Sequence, residues 1–309
     1  MPEICEVALT AQYLLSKLKS RYLTGMEIVG GKYLRQNIPG KNLIKKNIPL
    51  KILNIDSKGK LMWFELQDPD GNYIFIINNF GMTGHWSFKE DKNDRVIFDI
   101  ETNPNSDNKY KLHYSDPRNF GLLEISNNPD VLQSKLDNLA PDLLKTDFTV
   151  EDFAKWVDNY ISKSPKRKNN PIIRVLLEQT VKDGIGSGIG NYLSSEILYR
   201  AKISPLKLIG NLSFAEIKKL AQTIKYVLKL CYISNYTGYM TKLKDFVDVH
   251  SQKVKEGEFP NYHPGVDLDD DDTFEFLVYG KKEDDLGNNV QTDVITKNRT
   301  TYWVPSVQK

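Results

Sequence analysis

Cysteine is scarce in this chain, and long apolar runs are missing altogether. The 309 residues include only two cysteines, Cys5 and Cys231, too few for a disulfide framework or an all-cysteine zinc site. We therefore expect a reducing, intracellular compartment and no bound metal. No run approaches the roughly 18 apolar residues of a membrane helix, and the N-terminus lacks the charged and then apolar pattern of a secretory signal. Neither membrane insertion nor secretion is expected.

An excess of either charge is also lacking. The 42 lysine and arginine residues are opposed by 40 aspartate and glutamate residues, which gives a net charge of +2. Nucleic-acid-binding domains are usually basic, so this balance argues weakly against such a function. The distribution removes that objection, because cations are concentrated between Lys163 and Lys182, whereas acidic residues collect between Asp267 and Asp285. The length is sufficient for two domains.

The first 140 residues combine one helix with many short strands. Apolar residues at helical spacing predict a helix from Ile4 to Leu18. The apolar runs Leu50–Asp56 and Leu61–Leu66 flank a turn that contains glycine, and they predict a hairpin. Four later runs have strand character: Tyr73–Ile77, Arg95–Ile100, Tyr110–Tyr114 and Gly121–Ile125. This mixture predicts a β-sandwich domain over residues 1–140.

Residues 141–309 predict a helical domain that ends in a hairpin. The domain contains two capping boxes and two further helical patterns: Thr149 with Asp152, Ser213 with Glu216, Ile172–Gln179 and Asn191–Ala201. Near the C-terminus, Phe274–Tyr279 is expected to pair with Thr300–Val304 around a polar turn. The fold class is therefore α+β, with an N-terminal sandwich and a C-terminal helical domain.

Pro2 and Glu3 are the first candidates for chemistry. Initiator methionine is usually removed before a small second residue, which would leave Pro2 with a free secondary amine. The pKa of such an amine is nearer the about 7.7–8.0 of an α-amino group than the about 10.4 of lysine, so a useful fraction is nucleophilic at neutral pH. It can attack an aldehyde-like carbon to form an iminium, with Glu3 as general acid or base. The alternative is structural, since Pro-Glu is also ordinary at a helix start.

Four further candidates lie on predicted turns: Lys60, Met82, Arg118 and Phe120. Lys60 follows a glycine in the predicted hairpin, where backbone can approach a ligand closely. Met82 is an apolar side chain on a Gly-flanked loop, and Arg118 and Phe120 share another turn. A methionine, an arginine and an aromatic ring on loops suit a wedge that fills a gap in a base stack. Taken singly, each is also compatible with a turn residue or a partly buried filler.

The segment Gly184–Asn191 has glycine at every second position and opens a helix at Asn191. Backbone N–H groups at such a helix N-terminus can seat a phosphate without reading sequence. A dinucleotide-binding fingerprint is not indicated, because helices and not a βαβ unit flank the segment. The competing interpretation is a turn in which glycine permits close packing.

In this order and spacing, the motifs resemble the formamidopyrimidine-DNA glycosylase and endonuclease VIII family of base-excision repair enzymes, over essentially the whole chain. Pro2-Glu3-x-x-Glu6-Val7 resembles the family's opening motif, and Gly59-Lys60 resembles its hairpin lysine. Val181–Ala201, which includes Asn191 and Ser195-Glu196, is similar to its helix–two-turn–helix (H2TH) motif.

The resemblance implies a catalytic role for Pro2 and Glu3. Pro2 would attack C1′ of a damaged nucleotide, expel the base and form a Schiff base. Glu3 would protonate the sugar during ring opening, and elimination at the 3′ and then the 5′ phosphate would nick the strand. Lys60 is placed with the catalytic residues because it would hold a phosphate beside the lesion.

The resemblance also implies three groups of supporting residues. Asn191, Arg299 and Lys60 would together bind the phosphates around the lesion. The space left by the flipped base would be occupied by Met82, Arg118 and Phe120. Glu6 and Glu196 would help to shape the pocket.

The C-terminal segment resembles the family's zinc-finger hairpin without its cysteines. Val278–Lys282 and Arg299–Pro305 resemble the flanks of that hairpin, but other residues, among them Val304 and Val307, stand where cysteines would be. This is similar to the zincless-finger branch, in which apolar packing replaces the metal. The finger is expected at about residues 274–309, within a DNA-binding domain over 141–309.

The features that bear on lesion preference point in two directions. Asn191-Tyr192-Leu193 with Glu196-Ile197-Leu198 is closer to the endonuclease VIII branch, which prefers oxidised pyrimidines. Met82, Arg118 and Phe120 are closer to the purine-acting branch. Cys5 stands where the family usually has proline, which loosens the turn after the nucleophile but leaves amine and acid in place.

The sequence therefore predicts a monomeric, cofactor-free bifunctional DNA glycosylase and abasic-site lyase. Its partner would be double-stranded DNA with oxidised or missing bases, with oxidised pyrimidines favoured. Its location would be nuclear, viral or cytoplasmic. The alternatives are a catalytically silent binder of damaged DNA and a purine-preferring glycosylase. A nucleotide or cofactor enzyme is disfavoured because the Gly-rich turn lacks a βαβ context.

Overall fold

The computed structural model describes residues 2–104, 108–234, 243–256, 268–269, 272–296 and 299–309. The chain forms two compact units. Unit 1 contains Pro2 and Glu6–Leu136, and unit 2 contains Glu3–Cys5, Asp137–Tyr236 and Asp245–Lys309. Met1 and part of the acidic stretch predicted at 267–285 lie outside the described residues.

Unit 1 is built on one antiparallel sheet of eight strands. In chain order the strands are β1 Tyr22–Ile28, β2 Leu50–Lys58, β3 Leu61–Gln67, β4 Tyr73–Asn79, β5 His85–Ser87, β6 Asp94–Glu101, β7 Lys109–Ser115 and β8 Leu122–Ser126. Their order across the sheet is β5-β7-β6-β1-β2-β3-β4-β8. Phe64 on β3 and Trp86 on β5 lie 5.2 Å apart between ring centroids, although four strands separate β3 from β5 in that order. The sheet therefore folds over on itself and encloses the core as a sandwich.

Helices cover the sandwich. The helices of this part of the chain are α1 Ile4–Leu18, α2 Lys41–Asn47 and α3 Pro129–Asn138. On α1, Val7, Ala11, Leu14 and Leu18 belong to the sandwich core, and each is at most 2% exposed. Their spacing of three and four residues is the helical period used to predict α1.

Unit 2 is mainly helical and ends in a two-stranded hairpin. Its elements are α4 Val150–Ser162, α5 Ile172–Leu177, α6 Asn191–Ala201, α7 Phe214–Ile233, α8 Lys244–Lys255, β9 Gln291–Thr296 and β10 Arg299–Trp303. Both predicted capping boxes form, with Thr149 at the start of α4 and Ser213 at the start of α7. The predicted α+β fold class is confirmed. In the part of the chain that the structure describes, every helix is too short or too polar to span a membrane.

The predicted strand at Phe274–Tyr279 is wrong. The hairpin instead pairs β9 with β10, with Thr301 opposite Asp293 and Trp303 opposite Gln291. The segment before it is not hydrogen-bonded to another strand, because a side chain of α6 binds its backbone N–H groups, as described below.

Candidate functional site

Glu3 forms the N-terminal anchor of α6 in unit 2. Its carboxylate accepts hydrogen bonds from the backbone N–H groups of Gly190 at 2.5 Å, Tyr192 at 3.0 Å and Leu193 at 3.4 Å. The Glu3 side chain is fully buried. These N–H groups have no partner within the helix, and the helix dipole places positive charge at this end, so both favour a carboxylate. Glu3, the residue next to Pro2, is thus fixed in position.

The Gly-rich turn exists to bring Glu3 and Ile4 close to the backbone. A Cβ atom at Gly190 would lie 2.3 Å from the carboxyl carbon of Glu3. Gly188 has φ +111°, and its carbonyl accepts the Ile4 N–H at 3.1 Å. The interpretation as a close-packing turn is therefore the one that the geometry shows. The N–H groups considered for a phosphate already bind a carboxylate of this chain.

The other residues of the opening motif are buried. Pro2 lies two residues before the start of α1 and is buried, and Glu6 in the first turn of α1 is 1% exposed. Cys5 is fully buried, and its thiol donates to the carbonyl of Leu228 at 3.6 Å. The thiol therefore has a packing role in unit 2.

Asn191 and Arg299 belong to neighbouring elements of unit 2. The side-chain amide of Asn191, the first residue of α6, donates to the carbonyl of Thr300 at 2.8 Å, and Thr300 follows Arg299 on β10. Arg299 lines a cavity of about 470 Å³ together with residues of α5, of its C-terminal cap and of β9: Arg174, Leu177, Glu178, Ile295 and Thr296. Two arginines, Arg174 and Arg299, and one acidic residue, Glu178, therefore line one cavity, in which the cationic residues outnumber the acidic one.

Glu196 joins α6 to the segment that leads into the finger. One oxygen of its fully buried carboxylate accepts the N–H groups of Val278 at 3.0 Å and Tyr279 at 2.9 Å, and both oxygens lie 3.0 Å from the Leu277 nitrogen. Arg200, one turn later on α6, forms an ion pair with the same carboxylate. In the structure Glu196 binds backbone N–H groups, and its expected part in shaping a pocket stays a prediction.

The loop before β9 is organised around Asp284. Its carboxylate accepts the N–H groups of Leu286 at 3.0 Å and Asn288 at 2.8 Å, and the hydroxyl of Tyr199 on α6 at 2.9 Å. Burial favours the neutral form, but the hydrogen bonds from Asn288, Tyr199 and the backbone outweigh it and lower the pKa of Asp284.

Val304, just after β10, is fully buried. Among the described residues, no cluster of histidine, cysteine and acidic side chains is suited to a metal ion.

Lys60 lies in the turn between β2 and β3 of unit 1. The pair Lys58 and Leu61 closes the hairpin, so Gly59 and Lys60 alone form the turn. Gly59 has φ +55°, which a two-residue hairpin turn of this type requires. The predicted hairpin forms at this position, with a turn shorter than the four residues expected.

Met82, Arg118 and Phe120 come together on two loops of unit 1. We call the loops Phe80–Gly84 and Asp116–Gly121 the two-loop platform. Met82 is 38% exposed and Phe120 is 55% exposed, so both side chains are available at the surface. The guanidinium carbon of Arg118 lies 5.2 Å from the centre of the Phe120 ring. The structure thus places these three predicted site residues on one exposed surface.

Thr83 and Asp116, which the sequence analysis missed, join the two loops. The Thr83 hydroxyl donates to one oxygen of Asp116 at 2.7 Å and accepts the Arg118 N–H at 3.2 Å. The other oxygen of Asp116 accepts the Gly121 N–H at 2.7 Å. A threonine in one Gly-flanked loop and an aspartate before a proline in the other were the available signals, but sequence alone does not show that they meet.

Two of the cationic residues between Lys163 and Lys182 form hydrogen bonds with the turn before α6. Lys163 donates to the carbonyl of Val181 at 2.6 Å. Arg167 donates to the carbonyl of Lys182 at 2.5 Å and pairs with Asp183 at 3.1 Å. Part of the local positive charge therefore stabilises the turn itself.

Three family models match this chain. The formamidopyrimidine-DNA glycosylase N-terminal domain matches residues 1–123, the H2TH domain of that enzyme matches residues 139–240, and its C-terminal domain matches residues 264–309. Curated relatives include the formamidopyrimidine-DNA glycosylase of Wolbachia sp. subsp. Brugia malayi, 28% identical over 319 residues, with full coverage of both chains. That of Rickettsia bellii is 26% identical over 319 residues, also with full coverage.

Solved structures share the fold. The Lactococcus lactis Fpg (MutM) in complex with DNA that contains an oxidised pyrimidine has a TM-score of 0.72 at 20% identity, with full coverage of both chains. A MutM complex with DNA that contains carbocyclic 8-oxo-G has a TM-score of 0.72 at 21% identity, also with full coverage. The Thermus thermophilus MutM (Fpg) has a TM-score of 0.70 at 22% identity and covers 99% of this chain and 98% of its own.

Members of the matched family are DNA-repair N-glycosylases with abasic-site lyase activity, which confirms the enzyme class predicted from the sequence. The three domain models come from one enzyme, follow one another in order, and together match most of the 309 residues. The chain therefore belongs to the formamidopyrimidine-DNA glycosylase family.

Proposed function

We propose that this protein excises oxidised bases from double-stranded DNA and then cleaves the abasic site through a Schiff base on Pro2. The observation that carries the proposal is the anchored carboxylate of Glu3. Three N–H donors hold that carboxylate at the start of α6, directly after Pro2 in the chain. A proton acceptor fixed one residue from the N-terminal amine is what attack by that amine requires.

In the proposed reaction the Pro2 nitrogen bonds to C1′ of the damaged nucleotide as the bond from C1′ to the base breaks. Because N–H donors favour the ionised form of Glu3, it enters as a proton acceptor and takes the proton of the attacking amine. The same proton then passes to the ring oxygen of the sugar as the ring opens. The resulting iminium withdraws electrons and acidifies C2′, and loss of a C2′ proton expels the 3′ phosphate as the C3′–O bond breaks. The conjugated iminium then acidifies C4′, and loss of the C4′ proton expels the 5′ phosphate as the C5′–O bond breaks.

DNA contacts are assigned to both units. Lys60 in unit 1, and Asn191 and Arg299 in unit 2, are proposed to bind phosphates beside the lesion, with Arg174 as an additional cation at the cavity of Arg299. The two-loop platform is proposed to fill the space of the flipped base, because its exposed methionine, arginine and aromatic ring suit insertion between bases. We assign residues 1–140 to the catalytic domain and 141–309 to the DNA-binding domain.

The C-terminal finger, about residues 274–309, is proposed to work without zinc. Two observations support this proposal. Val304 is fully buried, and the indole N–H of Trp303 donates to Asp293 across the hairpin at 2.6 Å. The Asp284 loop and the Glu196 anchor add polar contacts to α6. Chelators should therefore leave both activity and melting temperature unchanged, whereas a zinc-dependent finger would lose both.

Oxidised pyrimidines are the proposed favoured substrates, with monomeric protein and no cofactor. The second candidate is a purine-preferring enzyme, and the two-loop platform is the observation that favours it. A panel of duplexes with one thymine glycol, 5-hydroxycytosine, 8-oxoguanine or formamidopyrimidine decides between them by single-turnover excision rates. Faster excision of both purine lesions than of both pyrimidines would overturn the pyrimidine preference.

Borohydride trapping tests the reaction itself. A duplex with one abasic site, incubated with the protein and borohydride, should yield a covalent adduct, which Pro2→Gly should reduce and an uncleaved Met1 should abolish. Glu3→Gln keeps the shape but not the charge, and it should slow excision by at least about 100-fold. Tight binding of lesion DNA without any adduct would favour the silent-binder alternative.

A further inference from the structure

The two-loop platform exposes three large side chains that are not packed in the sandwich core. Met82 and Phe120 are both more than one-third exposed, and Arg118 contacts Phe120 on the surface. Side chains in such positions normally sample several rotamers. Their backbone must be fixed by something other than apolar packing if they are to act together.

The contacts that join one loop to the other converge on Asp116. The Asp116–Gly121 loop is also held by the Lys32 N–H, which donates to Asn119, and by the Tyr33 hydroxyl, which donates to the Gly121 carbonyl. Asp116 is 1% exposed, and its two carboxylate oxygens bind one group from each loop, the Thr83 hydroxyl and the Gly121 N–H. Its backbone carbonyl accepts the Arg95 side chain at 2.9 Å, so the carboxylate is itself attached to the sandwich.

Thr83 completes the connection. Its hydroxyl is both a donor to Asp116 and an acceptor for the Arg118 N–H, so a single oxygen links the Met82 loop to the Arg118 backbone. Close backbone contact leaves no slack, because a Cβ atom at Gly81 would lie 2.6 Å from the carbonyl carbon of Phe120. The loop of Met82 and the loop of Arg118 and Phe120 therefore cannot move independently while these bonds persist.

We propose that Thr83 and Asp116 are positioning residues that set Met82, Arg118 and Phe120 as one preorganised unit for evicting the damaged base. The inference rests on the proposed function and deepens it. Eviction needs the three side chains to enter the stack together, and a displacement of about 1 Å can slow a positioned step by about 100-fold. Elimination at a preformed abasic site involves no base to evict. The pair should therefore control base excision more strongly than abasic-site cleavage.

Thr83→Val tests the proposal, because it removes the hydroxyl at nearly constant volume. We expect single-turnover excision to slow by about 10- to 100-fold, with abasic-site cleavage changed less than about threefold. Thr83→Ser keeps the hydroxyl and should restore excision. A 2-aminopurine placed next to the lesion should show slower stack opening with Thr83→Val in stopped flow. Asp116→Asn should show the same split between excision and cleavage.

Thr24→Val is the matched control. The Thr24 hydroxyl also donates to a carboxylate of the sandwich, Glu101, at 3.0 Å, but it lies on β1 and outside the platform. Excision by this variant should equal wild type. Equal losses of excision and cleavage by Thr83→Val, or no loss of either, would overturn the inference while leaving the proposed function standing. Wild-type protein without excision and cleavage would overturn the proposed function and the inference with it.

Discussion

Asp116 in unit 1 and Glu196 in unit 2 perform the same task by different means. Each is a buried carboxylate that holds an irregular segment beside proposed DNA contacts. Asp116 lies within a loop and binds one hydroxyl and one N–H group. Glu196 lies on a helix and binds three successive N–H groups and an arginine.

The difference teaches which segment has freedom to adjust. The Glu196 carboxylate is on a regular helix, and its many donors leave the entry to the finger little freedom. Asp116 has fewer donors, and one of them is a side chain with its own rotation about χ1. We expect the finger base to behave as part of α6, whereas the two-loop platform, which is held by fewer bonds, can shift only as one unit when it enters DNA.

Glu196→Ala should have the largest effect on stability. Its removal leaves three backbone N–H groups and the Arg200 guanidinium without their carboxylate, and breaking a buried pair in this way costs about 3–5 kcal/mol. Chemical denaturation measures the free energy of unfolding, and hydrogen exchange should show faster exchange at Leu277, Val278 and Tyr279. A loss below about 1 kcal/mol would break the comparison.

Asp116 and Glu196 are buried carboxylates. His250 adds a contrast to that comparison, because it is a buried ionisable side chain that remains neutral. It lies on α8 against Tyr232, 4.7 Å between ring centroids, and burial together with nearby Lys253 lowers its pKa from 6.5 to about 4. Unfolded protein binds the proton first as pH falls. The stability from neutral His250 is therefore complete above pH 6.5 and is lost between pH 6.5 and about 4, by at most about 3 kcal/mol.

His250→Phe tests this pH dependence, since it fills the site without a titratable group. As pH falls from 7 to 4, the free energy of unfolding of the wild type, measured by denaturation, should decrease by up to about 3 kcal/mol more than that of the variant. Parallel curves across that range would show that His250 does not titrate as the structure requires.

Asp116→Asn should cost less than Glu196→Ala, about 1–3 kcal/mol, because only one of the two acceptor oxygens is replaced by a donor. The measurement is the free energy of unfolding from urea denaturation. Asp68→Asn is the control, since the Asp68 carboxylate also closes a loop, by accepting the Asn72 N–H at 2.8 Å. If Asp116→Asn destabilises as much as Glu196→Ala, the platform has no more freedom than the finger base.

Arg299→Ala should have the smallest effect, confined to DNA binding. Loss of one phosphate contact should weaken affinity for all duplexes alike and reduce the slope of log affinity against log salt by about 0.9. Lys60→Ala should do the same. Lys155→Ala is the control, because Lys155 is exposed on α4 in a surface pair with Asp152 at 3.9 Å. An unchanged salt slope in both variants would refute the phosphate assignment.

Local patterns predicted much of the fold. The β2–β3 hairpin, helix α1 and both capping boxes depend on residues within a few positions of one another, so the sequence displays them directly. The strand predicted at Phe274–Tyr279 failed for a nonlocal reason. Its N–H groups bind Glu196, about 80 positions away, and side-chain acceptors of this kind leave no periodic signal.

The candidate site divides in the same way. Residue types, taken together in their order along the chain and in their resemblance to the family's motifs, singled out Pro2, Glu3 and the three platform side chains. The sequence did not reveal that Glu3 binds the start of α6 or that Asp116 joins two loops, since each contact depends on the folded chain. The sequence showed the Gly-rich turn as a pattern, but it did not show that the N–H groups at the end of this turn bind the Glu3 carboxylate.

The site of the covalent bond to DNA tests the central claim most directly. A borohydride-reduced adduct with an abasic-site duplex, digested and mapped by mass spectrometry, should carry the sugar remnant on the nitrogen of Pro2 in a peptide that lacks Met1. Glu196→Gln should leave that position unchanged. A remnant on a lysine such as Lys60, or on no residue at all, would contradict the account.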